Sequence, residues 1–150
     1  MNFEDQIQQK EFRNSFLKAV LNLKYTASLY NSKEAVVFKK YGILAQHFNV
    51  LRIVKGAHPE SVSPGKILEV MLDTGRDLTR LVDKLVKLGL LERSTCPSNR
   101  RRVDINITDE GIELTEKVSR DIDTFLDSIE TLTNEESEQL SNLLDKLRND

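Results

Sequence analysis

Arg76, Thr79, Arg80 and Lys84 fall at three- and four-residue spacing within 75–88, and a second basic group, Arg100, Arg101 and Arg102, follows closely. Guanidinium and ammonium groups bind phosphate. A guanidinium fork also matches the two acceptors on the exposed edge of guanine, and a threonine hydroxyl can donate or accept. The chemistry on offer is recognition of a polyanion, with the option of reading base edges. Whether Arg76 or Arg80 would grip guanine or clamp a phosphate is left open by the sequence. Asp83, in the same row, repels phosphate unless Arg80, Lys84 or Lys87 pairs with it.

The formal net charge is −2, which argues against a chain that coats nucleic acid indiscriminately. The charge is segregated, however. RSTCPSNRRR, residues 93–102, holds four arginines and no acid, whereas the stretch after Thr108 is rich in Asp and Glu. A polyanion has one place to bind.

Other reactive residues do not assemble. His47 and His58 lack ligand spacing with Glu60 or Cys96, so no metal and no cofactor is expected. No serine or cysteine stands beside a base as a nucleophile needs, and no glycine-rich phosphate loop appears. An enzyme is therefore not expected. The single cysteine, Cys96, excludes an internal disulfide and fits a reducing, cytoplasmic setting. Neighbouring arginines can favour its thiolate, or it is an inert small residue. No apolar run approaches the roughly 20 residues that cross a bilayer, and the start lacks a basic-then-apolar leader, so no membrane association is expected.

The elements that must position the basic residues follow from periodicity. Phe12, Phe16, Val20, Leu23, Ala27 and Tyr30 mark a long first helix; Asn31 and Ser32 suggest a break before a short second helix that ends at Gly42. A third covers 43–56, with Ile43, Phe48, Leu51 and Val54 inward and Gly56 as its end. Residues 56–64 read as a loop, with Ser63 and Pro64 starting a helix that turns Ile67, Leu68 and Met71 inward. After the tight turn at 73–76, Thr74 is the expected cap of the helix 75–88, which turns Leu78, Leu81, Val82, Leu85 and Leu88 inward and stops at Gly89.

Val103, Ile105 and Ile107 then alternate with polar residues as in a half-buried strand. Residues 90–93 are its partner strand and 96–99 supply the turn. Thr108 caps a long helix with Ile112, Val118, Ile122, Phe125 and Ile129 on one stripe. Thr133 and Glu136 form a capping box ahead of a last helix bearing Leu140, Leu143, Leu144 and Leu147. The fold class is mainly α with a small β-hairpin wing. It is a winged helix-turn-helix in one domain, 1–150, with a DNA-binding lobe at about 42–108 and dimerisation helices at about 1–41 and 109–150. The terminal stripes have little else in the chain to cover them, so a homodimer is expected.

The run ILEVMLDTGRDLTRLVDKLVKLGLLERSTCPSNRRRVDINITDEG resembles the MarR-type transcriptional regulators, in its TRLVD, GL..R and IT..G elements. HFNVLRI resembles that family's QFNVLRI segment. The resemblance covers about 42–111; the flanking helices match in placement only. It implies a triangular dimer, a pseudo-palindromic double-stranded DNA operator, repression released by a small-molecule effector, and Arg101 as the wing arginine in the minor groove. Asn99 stands where the family carries an acid, His47 where it has Gln, and Leu44 where it has a capping Thr.

The expected site residues are thus Thr74, Arg76, Thr79, Arg80 and Lys84 on the reading helix and Arg100, Arg101 and Arg102 on the wing. Phe16, Tyr25 and Tyr30, with His47, would line an effector cavity, or else belong to the core. A competing reading is a winged-helix dimer that binds a protein partner and no DNA, its acidic terminal helices being the working surface.

Overall fold

The computed structural model describes residues 1–73 and 77–148, with Cys96 as backbone only. Among the described residues seven helices and one hairpin follow in the order α1 (Phe3–Gln6), α2 (Ser15–Lys39), α3 (Ala45–Ala57), α4 (Pro64–Val70), α5 (Leu78–Lys87), β1 (Leu91–Cys96), β2 (Asn99–Ile107), α6 (Asp109–Ile129) and α7 (Asn134–Arg148). No helix among them is long and apolar enough to cross a membrane.

The break expected at Asn31 and Ser32 is absent, and α2 runs unbroken through both. Ser32 donates its hydroxyl to the Ser28 carbonyl at 2.9 Å, so its polar group is met inside the helix and need not end it. The helix stops at Lys39, and Gly42 follows with a φ of +66°, a left-handed turn that glycine adopts freely. No periodicity in the sequence announces α1. It folds back so that Phe3 packs against Tyr25 of α2 and against Phe12, expected on the long helix but lying ahead of its start at Ser15, and Glu4 pairs with Lys18.

α3 is the pivot. Leu51, Val50 and Val54 enter a core shared with α4, α5 and both strands, while Phe48 joins a second core with Val37, Phe38, Ile43, Val118 and Ile122. The helix passes Gly56 and ends at Ala57. Its start has no conventional cap, because the Leu44 side chain cannot accept a hydrogen bond. Instead buried His47, three residues on, accepts the Leu44 backbone N–H on Nδ1 at 2.9 Å. The two departures from the family pattern thus compensate each other.

Burial, and then the Lys84 charge, hold the His47 pKa below its ordinary 6.5. A protonated Nδ1 would also lose its acceptor role. Below about pH 6.5 the unfolded chain takes up a proton that the folded chain refuses, so this residue makes stability fall as pH drops, until pH passes the lowered folded value. Thermal unfolding from pH 7.5 to 5.5 is expected to show a shallower decline in His47→Gln, whose amide oxygen can accept the same bond without titrating. Equal slopes would remove His47 as the cause.

The caps at Ser63 and Thr108 are as read, accepting from Lys66 N at 3.2 Å and Gly111 N at 3.0 Å. So is the reciprocal box of Thr133 and Glu136. α5 ends in a Schellman turn: Gly89, φ +73°, lets Leu90 N reach the Leu85 carbonyl at 2.9 Å while Gly89 N reaches Val86 at 3.0 Å. The turn buries Leu90 and Leu91 and leaves Leu88, expected inward, 49% exposed. Leu68, also expected inward, is 48% exposed, because the short α4 rests on Ile67 and Met71, one turn apart on the adjacent face. Val62, expected in a loop, exchanges two backbone hydrogen bonds of 2.9 Å with Ile105 and adds a third edge to the hairpin.

Candidate nucleic-acid interface

The helix-turn-helix is assembled from α3 outward. Ile67 and Met71 anchor α4 in the core. The chain leaving α4 is then gripped by α3, where Asn49 Oδ1 accepts the Leu72 N–H at 2.9 Å and Gln46 Nε2 donates to Asp73 at 3.3 Å. Sequence reasoning missed both holders. The available signal was an amide between buried Phe48 and Val50, where an apolar face needs a reason for a polar residue. Thr74 and Arg76 lie outside the described residues.

The reading helix begins at Leu78, later than position 75. Its cap is Asp77, which accepts Arg80 N at 3.3 Å and also lies 3.4 Å from the Arg80 guanidinium. A carboxylate at this end is favoured by the helix dipole. Leu78, Leu81, Val82 and Leu85 are buried, so α5 is held by one face, and Thr79, Arg80, Asp83, Lys84 and Lys87 are exposed on the other. Asp83 is compensated from an unexpected quarter: Arg93 of β1 donates to its carboxylate at 2.5 Å. The pair removes a negative charge from the basic row and ties the helix to the hairpin.

The hairpin's register explains where its arginines go. Leu91 pairs with Ile107, Arg93 with Ile105 and Thr95 with Val103, a regular antiparallel ladder. The next pair is Cys96 with Asn99, so Arg100, Arg101 and Arg102 are surplus to the ladder and lie in the irregularity beyond Thr95. All three are exposed. Asn99 Oδ1 accepts the Arg101 backbone N–H at 3.1 Å, holding the wing by a neutral bond, and Arg102 pairs with Asp104 at 3.2 Å. Arg100 and Arg101 have no ion pair among the described residues.

The four residues expected to share an effector cavity do not converge. Phe16 is 62% exposed on α2. Tyr25 is engaged by Phe3 and donates to Gln6 at 3.2 Å. Tyr30 faces the α6–α7 connection with Leu126 and Leu132, and His47 serves the start of α3. A cavity of about 620 Å³ does lie between α2 and α3, lined in part by Glu34, Phe38, Leu44, Gln46, Asn49 and Leu72, and by none of the four. Among the described residues no group of His, Cys, Asp and Glu is placed to hold a metal ion.

The family model described as MarR family matches residues 41–102. The HTH-type transcriptional regulator PecS of Dickeya dadantii is 32% identical over 114 residues, covering 74% of this chain and 68% of PecS. Among solved structures, a MarR transcription factor from Planctomyces limnophilus is 26% identical with a TM-score of 0.70, covering 93% of this chain and 100% of that one. A mutant MarR from E. coli complexed with operator DNA shares the fold, with a TM-score of 0.75 at 24% identity over 92% of this chain and 99% of that one. On the sequence match to PecS, together with the winged helix-turn-helix built from α4, α5 and the hairpin, the chain belongs to the MarR family of transcriptional regulators.

Proposed function

We propose that the protein is a sequence-specific DNA-binding repressor that acts in the cytoplasm as a homodimer, by occupancy of its operator and without chemistry of its own. α5 of each protomer enters the major groove, with Thr79, Arg80 and Lys84 toward the bases and backbone. Arg100, Arg101 and Arg102 of each wing reach the neighbouring minor groove, where focused negative potential attracts arginine. Residues 1–41 and 109–150 supply the dimer surface and 42–108 the reading lobe.

The observation that carries this reading is the three-arginine excess in β2 beside a helix whose one face is buried and whose other is basic. Family membership and the operator complex of the E. coli relative support it over a protein-binding module. Dimerisation is supported by apolar side chains left uncovered on the terminal helices, among them Phe16, Leu29 and Val36 on α2 and Leu140 and Leu143 on α7. Two-fold symmetry then makes the operator a pseudo-palindrome with half-sites about one helical turn, roughly 34 Å, apart. A small effector seated between α2 and α3 would touch both the dimer helix and the residues that hold the chain ahead of α5, and so release the operator.

The test is a gel shift on the DNA upstream of the protein's own coding sequence. Binding is expected to be sequence-dependent and to weaken steeply with salt. Arg80→Ala is expected to cost about 1–3 kcal/mol. Relaxed preference at one base pair per half-site would mark Arg80 as a base reader, and a uniform loss would mark it as a phosphate clamp. Equal binding to unrelated DNA, or no binding at low salt, would refute the proposal.

A further inference from the structure

α4 ends by a change of backbone direction. Met71 adopts φ −67° and ψ 141°, which carries the Leu72 N–H away from the Leu68 carbonyl that a continuing helix would offer it. The Leu72 side chain, 87% exposed, anchors little. What holds the chain here is the orphaned N–H, which donates to Asn49 Oδ1 at 2.9 Å, while Gln46 Nε2 donates to Asp73 at 3.3 Å one residue on. Gln46 and Asn49 stand three residues apart on α3 and so share a face. Behind them Val50, Leu51 and Val54 are fully buried, which makes α3 a fixed template for the chain ahead of α5.

The reading end of α5 needs such a template. Its apolar stripe, from Leu78 to Leu85, decides which face is inward, but apolar contact is non-directional and tolerates a small slide along the axis. The bond from Arg93 to Asp83 is directional, yet it acts near the middle of α5. A side chain that reads a base edge must stand within about half an ångström of its place. Thr79 and Arg80, at the amino-terminal end of α5, come soon after the chain that Asn49 holds. We propose that Asn49 is a positioning residue for base reading: by holding the Leu72 N–H it sets where the amino-terminal end of α5 stands in the groove, and so determines the preference for operator over unrelated DNA without itself touching DNA. Gln46 is the second hold. This inference rests on the regulator reading.

The experiment compares the full chain with Asn49→Leu, which matches the amide in size but accepts no hydrogen bond, and with Asn49→Asp, which keeps an acceptor. Gel shifts on operator and on unrelated DNA over a salt series read the preference, and amide hydrogen exchange followed by NMR reads the hold on Leu72 N. In Asn49→Leu the Leu72 amide is expected to exchange faster at an unchanged thermal midpoint, and the operator preference to fall by at least about tenfold. Affinity for unrelated DNA and its salt slope should stay as they were, because phosphate contacts tolerate a small displacement. Asn49→Asp is expected to restore the preference, since its added charge weakens binding to both DNAs alike. A preference that survives the freeing of Leu72 N, an equal loss on both DNAs in Asn49→Leu, or no rescue by Asn49→Asp would overturn the proposal. If Asn49→Leu lowers the thermal midpoint, Gln46→Met, which removes only the bond to Asp73, is read in its place, and an unchanged preference there overturns the proposal too. If the parent protein does not prefer its operator, the regulator reading fails instead, while exchange at Leu72 still decides whether Asn49 holds the chain.

Discussion

Gly111→Ala is expected to destabilise the protein by more than about 3 kcal/mol and to lower its thermal midpoint by on the order of 10 °C. A Cβ on Gly111 would stand 2.1 Å from the Leu90 carbonyl oxygen and 2.7 Å from Cγ1 of Ile107. The first of these is backbone and cannot swing aside. The Leu90 carbonyl accepts Thr108 N at 3.1 Å, and the Thr108 hydroxyl joins Gly89 O at 2.6 Å to Gly111 N at 3.0 Å. Making room at Gly111 therefore breaks the junction where the wing ends and α6 begins. Alanine's better helix propensity, about 1 kcal/mol, is too small to offset this. Gly56 supplies the control. It is also helical, and a Cβ there meets nothing within 4 Å, so Gly56→Ala is expected to stabilise by up to about 1 kcal/mol. Urea unfolding of the two variants decides the matter, and a Gly111→Ala protein as stable as the parent would refute the steric account of this junction.

Features set by a few neighbouring residues were legible in the sequence. The inward stripe of α5 from Leu78 to Leu85, the period of two at Val103, Ile105 and Ile107, and the caps at Ser63, Thr108 and Thr133 all depend on local chemistry, and the structure reproduces them. Features set by distant partners were not. Ser32 looked like a break because its own side chain competes with the helix, but α2 absorbs that competition at Ser28. Leu68 and Leu88 carry the right residue type for a core, but α4 rests on its adjacent face through Ile67 and Met71, and the turn after α5 buries Leu90 and Leu91 instead. The bridge from Val62 to Ile105 is a single residue pair and leaves no periodic trace.

The same division runs through the site. The types of the basic residues could be read directly, whereas what restrains them could not. Arg93 finds Asp83 between a strand and a helix, and Asn49 finds Leu72 between a helix and a loop. The aromatic residues expected around an effector failed to gather for the converse reason. Tyr25 is engaged by a segment, α1, that the sequence did not announce. The family departures were legible as departures, and their remedies were visible only in three dimensions. His47 replaces the missing cap at Leu44, and Asn99 holds the Arg101 backbone by a neutral bond.

That neutral bond bears on the largest effect expected on function, the loss of operator binding when Arg100, Arg101 and Arg102 are all replaced by alanine. The three residues are surplus to the ladder, so the pairing of Thr95 with Val103 and of Cys96 with Asn99 does not depend on their side chains. Their removal forfeits one ion pair, that of Arg102 with Asp104, in an exposed setting where such pairs contribute little. Stability should therefore change by less than about 1 kcal/mol. Binding should change far more. At about 1–3 kcal/mol for each arginine that reaches DNA, and with two wings in a dimer, operator affinity should fall by at least about 10³-fold. The slope of log affinity against log salt should also shrink, by about 0.9 for every phosphate that is no longer neutralised. Single replacements separate the three: Arg101→Ala should weaken binding more than Arg102→Ala, because Arg102 divides its charge with Asp104 whereas Arg101 has no ion pair among the described residues. A triple variant that keeps full affinity and the original salt slope would place the DNA away from the wing, and would leave α5 alone to carry recognition.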